Sequence, residues 1–133
     1  MTAVSTSGST DSLLRWALRI DATVSAVLGV AILASAGWLT AASGIPAAVD
    51  YVLGGVFVAF AVGVFVLAAQ PFVRRGGITI AVGNFAYTVG SVAFVLAGVL
   101  PLTTLGVVLV LAAAAYTAVI GAVQYMGWRR ACD

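Results

Sequence analysis

The sequence alternates long apolar runs with short polar breaks. Runs at 19–42, 47–69, 78–99 and 105–127 are each long enough, at about 1.5 Å per helical residue, to cross a hydrocarbon core of about 30 Å. The breaks are Ser43-Gly44-Ile45-Pro46, the stretch from Gln70 to Gly77, and Leu100-Pro101-Leu102-Thr103-Thr104. The middle break is the pivot, because it sets a proline, two arginines and a glycine pair between two greasy segments. The pattern predicts an all-α membrane protein: a four-helix transmembrane bundle, up-and-down, made of two αα-hairpins. Residues 1–12 are small, polar and aperiodic and read as a disordered tail, leaving 13–133 as one transmembrane domain. Asp11 or Ser12 offers an N-cap near Leu13, and Pro46 suits the first position of the second helix. Arg15 and Arg19 followed by an apolar run and Ala34-Ser35-Ala36 also has the form of a secretory signal. The run continues past Ala36 through Trp38, Leu39 and Ala42, which favours a retained helix.

Composition narrows the class. With 63% hydrophobic and only 8% charged residues, and a mean hydropathy of +1.19, the chain falls outside soluble domains, where charged residues make up about a quarter. It contains no Lys, Glu or His, so the commonest general bases, Schiff-base amines and metal ligands are missing, and the expectation is a non-enzyme without cofactor or metal. Neither a Walker sequence, a Gly-x-Gly-x-x-Gly nor a Cys-x-x-Cys occurs. Gly76-Gly77 reads as a flexible helix start and not a phosphate nest, and Cys132 as a free thiol.

Charge then gives direction. All six arginines come in pairs, Arg15/Arg19, Arg74/Arg75 and Arg129/Arg130, which precede the first run, separate the second from the third and follow the fourth. Four crossings place every pair on one side. By the positive-inside rule that side is the cytoplasm, with both termini there, in the cytoplasmic membrane; nucleic acid is not an expected partner. Trp16 and Trp38 belong to the interfacial belts, as does Tyr51, while Asp50 reads as a partner of the positive helix end. Pro46 to Arg74 and Pro101 to Arg129 are equally spaced, each half carries a Gln near its arginine end, and Asp21 corresponds to Asn84, so the hairpins read as a parallel repeat.

Two kinds of helix face remain. Small residues at fourfold spacing, Gly55, Ala59 and Gly63 on the second helix and Ala114, Ala118 and Ala122 on the fourth, predict close packing. Asn84, Tyr87, Thr88 and Ser91 line one side of the third helix, Thr117, Gly121 and Gln124 one side of the fourth with Tyr116 beside them, and Asp21 and Ser25 one side of the first. Such a polar seam must turn inward from lipid. Counted from these runs, Asp21, Asn84 and Gln124 lie within two turns of the arginine end and close enough in depth to meet.

With Leu14 to Ala22, Gly83-Asn84-Phe85 and Gln124 to Arg130 in view, the chain resembles the small four-span integral membrane proteins common in actinobacteria, most of which carry no assigned activity. The resemblance implies a membrane location and a four-helix bundle, and no binding or catalytic residue. Two functions follow as expectations. One is a structural or accessory membrane protein whose helix faces meet the lipid bilayer, a second copy or a larger membrane complex. The other is a small-solute or proton-coupled transporter using Asp21, Asn84, Tyr87 and Gln124, an ionisable residue inside a bilayer being costly to keep without use.

Overall fold

The computed structural model describes residues 11–132. Among these it is all-helical: α1 (Ser12–Ser43), α2 (Ala47–Ala68), α3 (Val73–Ala97) and α4 (Thr104–Cys132). The tail assigned to 1–12 lies outside the described residues up to position 10, and Ser12 already belongs to α1. All four helices are long and apolar enough to cross a membrane. Their outward surface is Val, Leu, Ile and aromatic, with Val27, Trp38, Val52, Val89 and Leu96 more than half exposed. Water would not tolerate that surface and lipid does. The protein is an integral, multi-pass membrane protein.

The chain turns where its breaks predicted, with shorter turns. The pivot shrinks to 69–72, because Val73, Arg74, Arg75 and both glycines are helical. Gly76 and Gly77 are not a loose start. Gly76 lies against Leu67, and a Cβ on Gly77 would come within 2.8 Å of Leu14, so what their missing side chains provide is room for neighbouring helices. Pro46 stands just before α2 and not inside it, its carbonyl receiving the amides of Val49 and Asp50. Gly44, at φ +81°, ends α1 in the left-handed conformation with Pro101 packed on it, a position that only glycine fills without strain. Thr103 then fastens the second hairpin to the end of α1: its amide and hydroxyl donate to the carbonyls of Ser43 and Ala42 at 3.0 and 2.6 Å.

Packing is uneven around the bundle. α1 pairs extensively with α2, α3 with α4, and the hairpins meet mainly along α1 and α4, whereas α2 and α3 touch little. Antiparallel α1 and α4 approach closely at both ends, Gly127 against the backbone of Leu14 and Gly106 against that of Ser43. At the arginine-bearing end Leu14, Leu18, Ala22, Val64, Ala68 and Val73 form the apolar core. There Arg15 donates to the Ala68 carbonyl at 2.7 Å and Arg74 to the Ala131 carbonyl at 2.8 Å. Each hairpin's first helix thus satisfies a carbonyl in the last turn of its second, a parallel likeness between the halves. Ala68 and Ala131 share the offset of Asp21 and Asn84, and it differs from the offset of the two prolines. The glutamines do not correspond: Gln70 bonds within its own turn at the surface, and Gln124 is fully buried.

The α1–α2 contact runs through different glycines from those the spacing suggested. A Cβ on Gly29 would meet the Gly54 carbonyl at 2.8 Å, and one on Gly54 the Gly29 carbonyl at 3.0 Å. Gly55, Ala59 and Gly63 face outward instead, with nothing in the chain within 4 Å of a Cβ on Gly55 or Gly63. On α4 Ala114 is buried, Ala118 half-buried and Ala122 exposed; Gly106, Gly121 and Gly127 make the closer approaches. Fourfold spacing drifts around a helix of 3.6 residues per turn, so a bare stripe locates a face without saying which neighbour it meets.

Candidate functional site

Side chains from three helices converge on Asp21. Its Oδ2 accepts from Asn84 Nδ2 at 3.0 Å and from Gln124 Nε2 at 2.9 Å; its Oδ1 accepts from the Tyr116 hydroxyl at 3.1 Å and from Ser25 Oγ at 3.4 Å. Asn84 Nδ2 also donates to Gln124 Oε1 at 2.8 Å, closing a triangle among α1, α3 and α4. Asp21 is 1% exposed, Asn84 6% and Gln124 not at all, so water does not compete for these bonds. The close approach of Gly121 to Asn84 and Phe85 lets α4 lie near enough to α3 for the two carboxamides to touch.

The cluster is deeper than two turns. α1 begins at Ser12, α3 at Val73, and α4 ends at Cys132, which sets Asp21, Asn84 and Gln124 about 12–17 Å along their axes from those helix termini, with Arg19 two residues before Asp21. The expectation placed them shallower because it began each helix where strong apolarity began, and the helices extend further through the arginine layer. Among the described residues no guanidinium pairs with Asp21; the ion pair present is Arg15 with Asp11 at 3.2 Å. Arg19, Arg75, Arg129 and Arg130 are exposed at the same end.

One turn farther along, the Thr88 hydroxyl lies 2.6 Å from that of Thr117 and 3.1 Å from the carbonyl oxygens of both Asn84 and Ala114, which share its single hydrogen. These bonds tie α3 to α4 without touching Asp21. Tyr87 and Ser91 lie outside the cluster, Tyr87 with its ring 5.9 Å from that of Phe57. Asp50 lies in the first turn of α2, at the positive helix end as expected, without a side-chain cap bond; it is buried beside α1 and accepts from the Thr40 hydroxyl at 3.4 Å.

Asp21, Ser25, Asn84, Tyr116 and Thr117 also border a cavity of about 240 Å³ where α2 and α3 part. Apart from Tyr87 the remaining wall is apolar, with Phe57, Phe60, Leu53 and Gly83 prominent. A second cavity of about 270 Å³ lies toward the proline-bearing end and shares Leu53 and Tyr87 with the first, so these two side chains stand between them. Phe60 belongs both to this wall and to the residues packed against the apolar core of the arginine-bearing end. Sequence reasoning had no signal for Phe57 or Phe60, since an aromatic in an apolar helix carries no mark of the side it faces. Gly83 stands next to Asn84, and a Cβ there would meet nothing within 4 Å. Compared with known proteins, the chain matches no family model, no curated protein and no solved structure.

Proposed function

We propose that this integral membrane protein is a small-solute transporter, proton-coupled or not, of the cytoplasmic membrane, with the arginine-bearing end and both termini in the cytoplasm. One observation carries the reading: a carboxylate held by four hydrogen-bond donors, with no guanidinium paired to it among the described residues, stands in the wall of a cavity among membrane-spanning helices. A cluster whose sole task was to fix helix register would do so as well with no cavity beside it. Asp21 is the ionisable group, Asn84 and Gln124 hold it in place, and Tyr87 stands between the two cavities. The orientation rests on the confinement of the arginines to one end. Flux of candidate solutes or protons into proteoliposomes tests it: transport that Asp21→Asn and Asn84→Ala abolish supports the reading, and flux indifferent to both, or none, removes it.

A structural or accessory role in a homo-oligomer or larger membrane complex is the competing reading. It is favoured by the bare, outward-facing stripe of Gly55, Ala59 and Gly63. Gly55→Leu with Gly63→Leu then lowers the oligomer mass in native membranes and mild detergent; an unchanged mass eliminates it.

A further inference from the structure

The two oxygens of Asp21 are held differently, and the difference points to a ligand. Oδ2 is held by the paired carboxamides of Asn84 and Gln124 at 3.0 and 2.9 Å, and Gln124 is not part of the cavity wall. Oδ1 has only hydroxyls, Tyr116 at 3.1 Å and Ser25 at 3.4 Å, and both of these border the cavity. A hydroxyl hydrogen rotates, so either bond can give way to a stronger donor arriving from the cavity. The strongest such donor is a cation, because an ammonium N–H adds the attraction of opposite charges, weakly screened among apolar helices, to a hydrogen bond that a hydroxyl makes without it. The chain has no Lys or His, and among the described residues no guanidinium pairs with Asp21: Arg19, two residues before it on α1, is exposed, and the ion pair present is Arg15 with Asp11.

The rest of the wall describes the rest of the ligand. Phe57, Phe60 and Tyr87 set aromatic rings about an otherwise aliphatic space, surroundings that favour an apolar body and attract positive charge to ring faces. A volume of about 240 Å³ admits about eight non-hydrogen atoms at roughly the 30 Å³ that a water molecule occupies in the liquid. Asp21 is the single carboxylate of this wall, and among the described residues no group of three His, Cys, Asp or Glu side chains comes together, so a divalent ion would lack the ligand charge it needs.

We propose, resting on the solute-transport reading, that the inner cavity binds a small organic ammonium ion with an apolar or aromatic body, its N–H on Asp21 Oδ1 and its body against Phe57, Phe60 and Tyr87. Bound there, the ion neutralises the carboxylate and leaves Asn84 and Gln124 undisturbed on Oδ2. Entry comes from where α2 and α3 part, since the arginine-bearing end is filled by core side chains.

The test compares two probes of equal size, phenethylammonium and neutral 2-phenylethanol, titrated calorimetrically into the full chain in nanodiscs. The expected result is about tenfold tighter binding of the ammonium, a preference that Asp21→Asn reduces to twofold or less. Gly83→Leu fills the cavity with no steric conflict at its Cβ and abolishes binding of both probes without altering Asp21. Tyr116→Phe, which removes the hydroxyl competing for Oδ1, binds the ammonium no more weakly than wild type and tests the geometry independently if Asp21→Asn does not fold. Equal binding of both probes overturns the cationic class and leaves a solute site standing. Binding by neither probe overturns the cavity as a solute site altogether, and binding unaffected by Gly83→Leu places the ligand elsewhere and overturns the assignment.

Discussion

Asp21 illustrates how a single residue raises the cost of changing its neighbours. A hydrogen bond between membrane helices is worth about 0.6 kcal/mol on average, but a buried polar group left without its partner costs about 1–3 kcal/mol. Gln124→Leu removes a donor from Asp21 and an acceptor from Asn84 together, so the larger figure governs. We expect a loss of about 2 kcal/mol in a denaturant titration with SDS. Thr117→Val, which breaks a link to Thr88 and leaves Asp21 untouched, falls nearer 0.6 kcal/mol. Should the two variants lose equal stability, the cluster has no special weight. Gly44→Ala is costly for another reason, since it forces a side chain into the left-handed region and against Pro101. It lowers stability by about 1–2 kcal/mol, whereas Gly37→Ala, where a Cβ meets nothing, is neutral or slightly stabilising in the same titration.

Between helices, the same residue type has opposite consequences according to the face it occupies. Gly29 and Gly54 let the backbones of α1 and α2 approach closely, and Gly55 and Gly63 face away. Gly29→Leu should therefore separate the hairpin and reduce the yield of monodisperse protein in detergent, while Gly63→Leu leaves the fold of the single chain intact. Equal damage from both would mean that Gly63 is also packed. Ser35 adds a local feature. It breaks the regular dihedrals of α1 at φ −117° and donates its hydroxyl to the Ala31 carbonyl at 2.5 Å, a side-chain bond of the kind that bends helices. Ala34-Ser35-Ala36, which reads as a signal-like tripeptide in the sequence, thus forms the bend of α1, with Ala36 buried.

For the whole molecule, the direction of the proposed transport follows from the arginines and the open side of the bundle. If the arginine-bearing end is cytoplasmic, the cavities lead away from the cytoplasm, the inner one bounded by the packed core and the outer one lying toward the proline-bearing turns. Cys132, exposed and the lone cysteine of the chain, is a native probe of that orientation. A membrane-impermeant maleimide should leave it unlabelled in intact cells and label it after permeabilisation. In a Cys132→Ser background, Pro101→Cys should give the reverse. Labelling of Cys132 from outside would invert the topology and the direction of access.

What the sequence by itself determined is the class and the layout. Four apolar runs, three polar breaks and the placing of the arginines depend on transfer from water to lipid, a property that each segment carries independently of its neighbours. The inward turn of Asp21, Asn84 and Gln124 was legible for the same reason, since lipid leaves a polar stripe nowhere else to go. Tertiary structure alone decided the contacts: that Gly54 and not Gly55 meets α1, that Gln124 is buried while Gln70 is not, and that α2 and α3 part to leave a cavity with Phe57 and Phe60 in its wall. Lipid is as apolar as the helices, so hydrophobicity cannot rank one greasy face above another. The choice falls to shape and hydrogen bonding between particular pairs, which exist only once the helices are side by side.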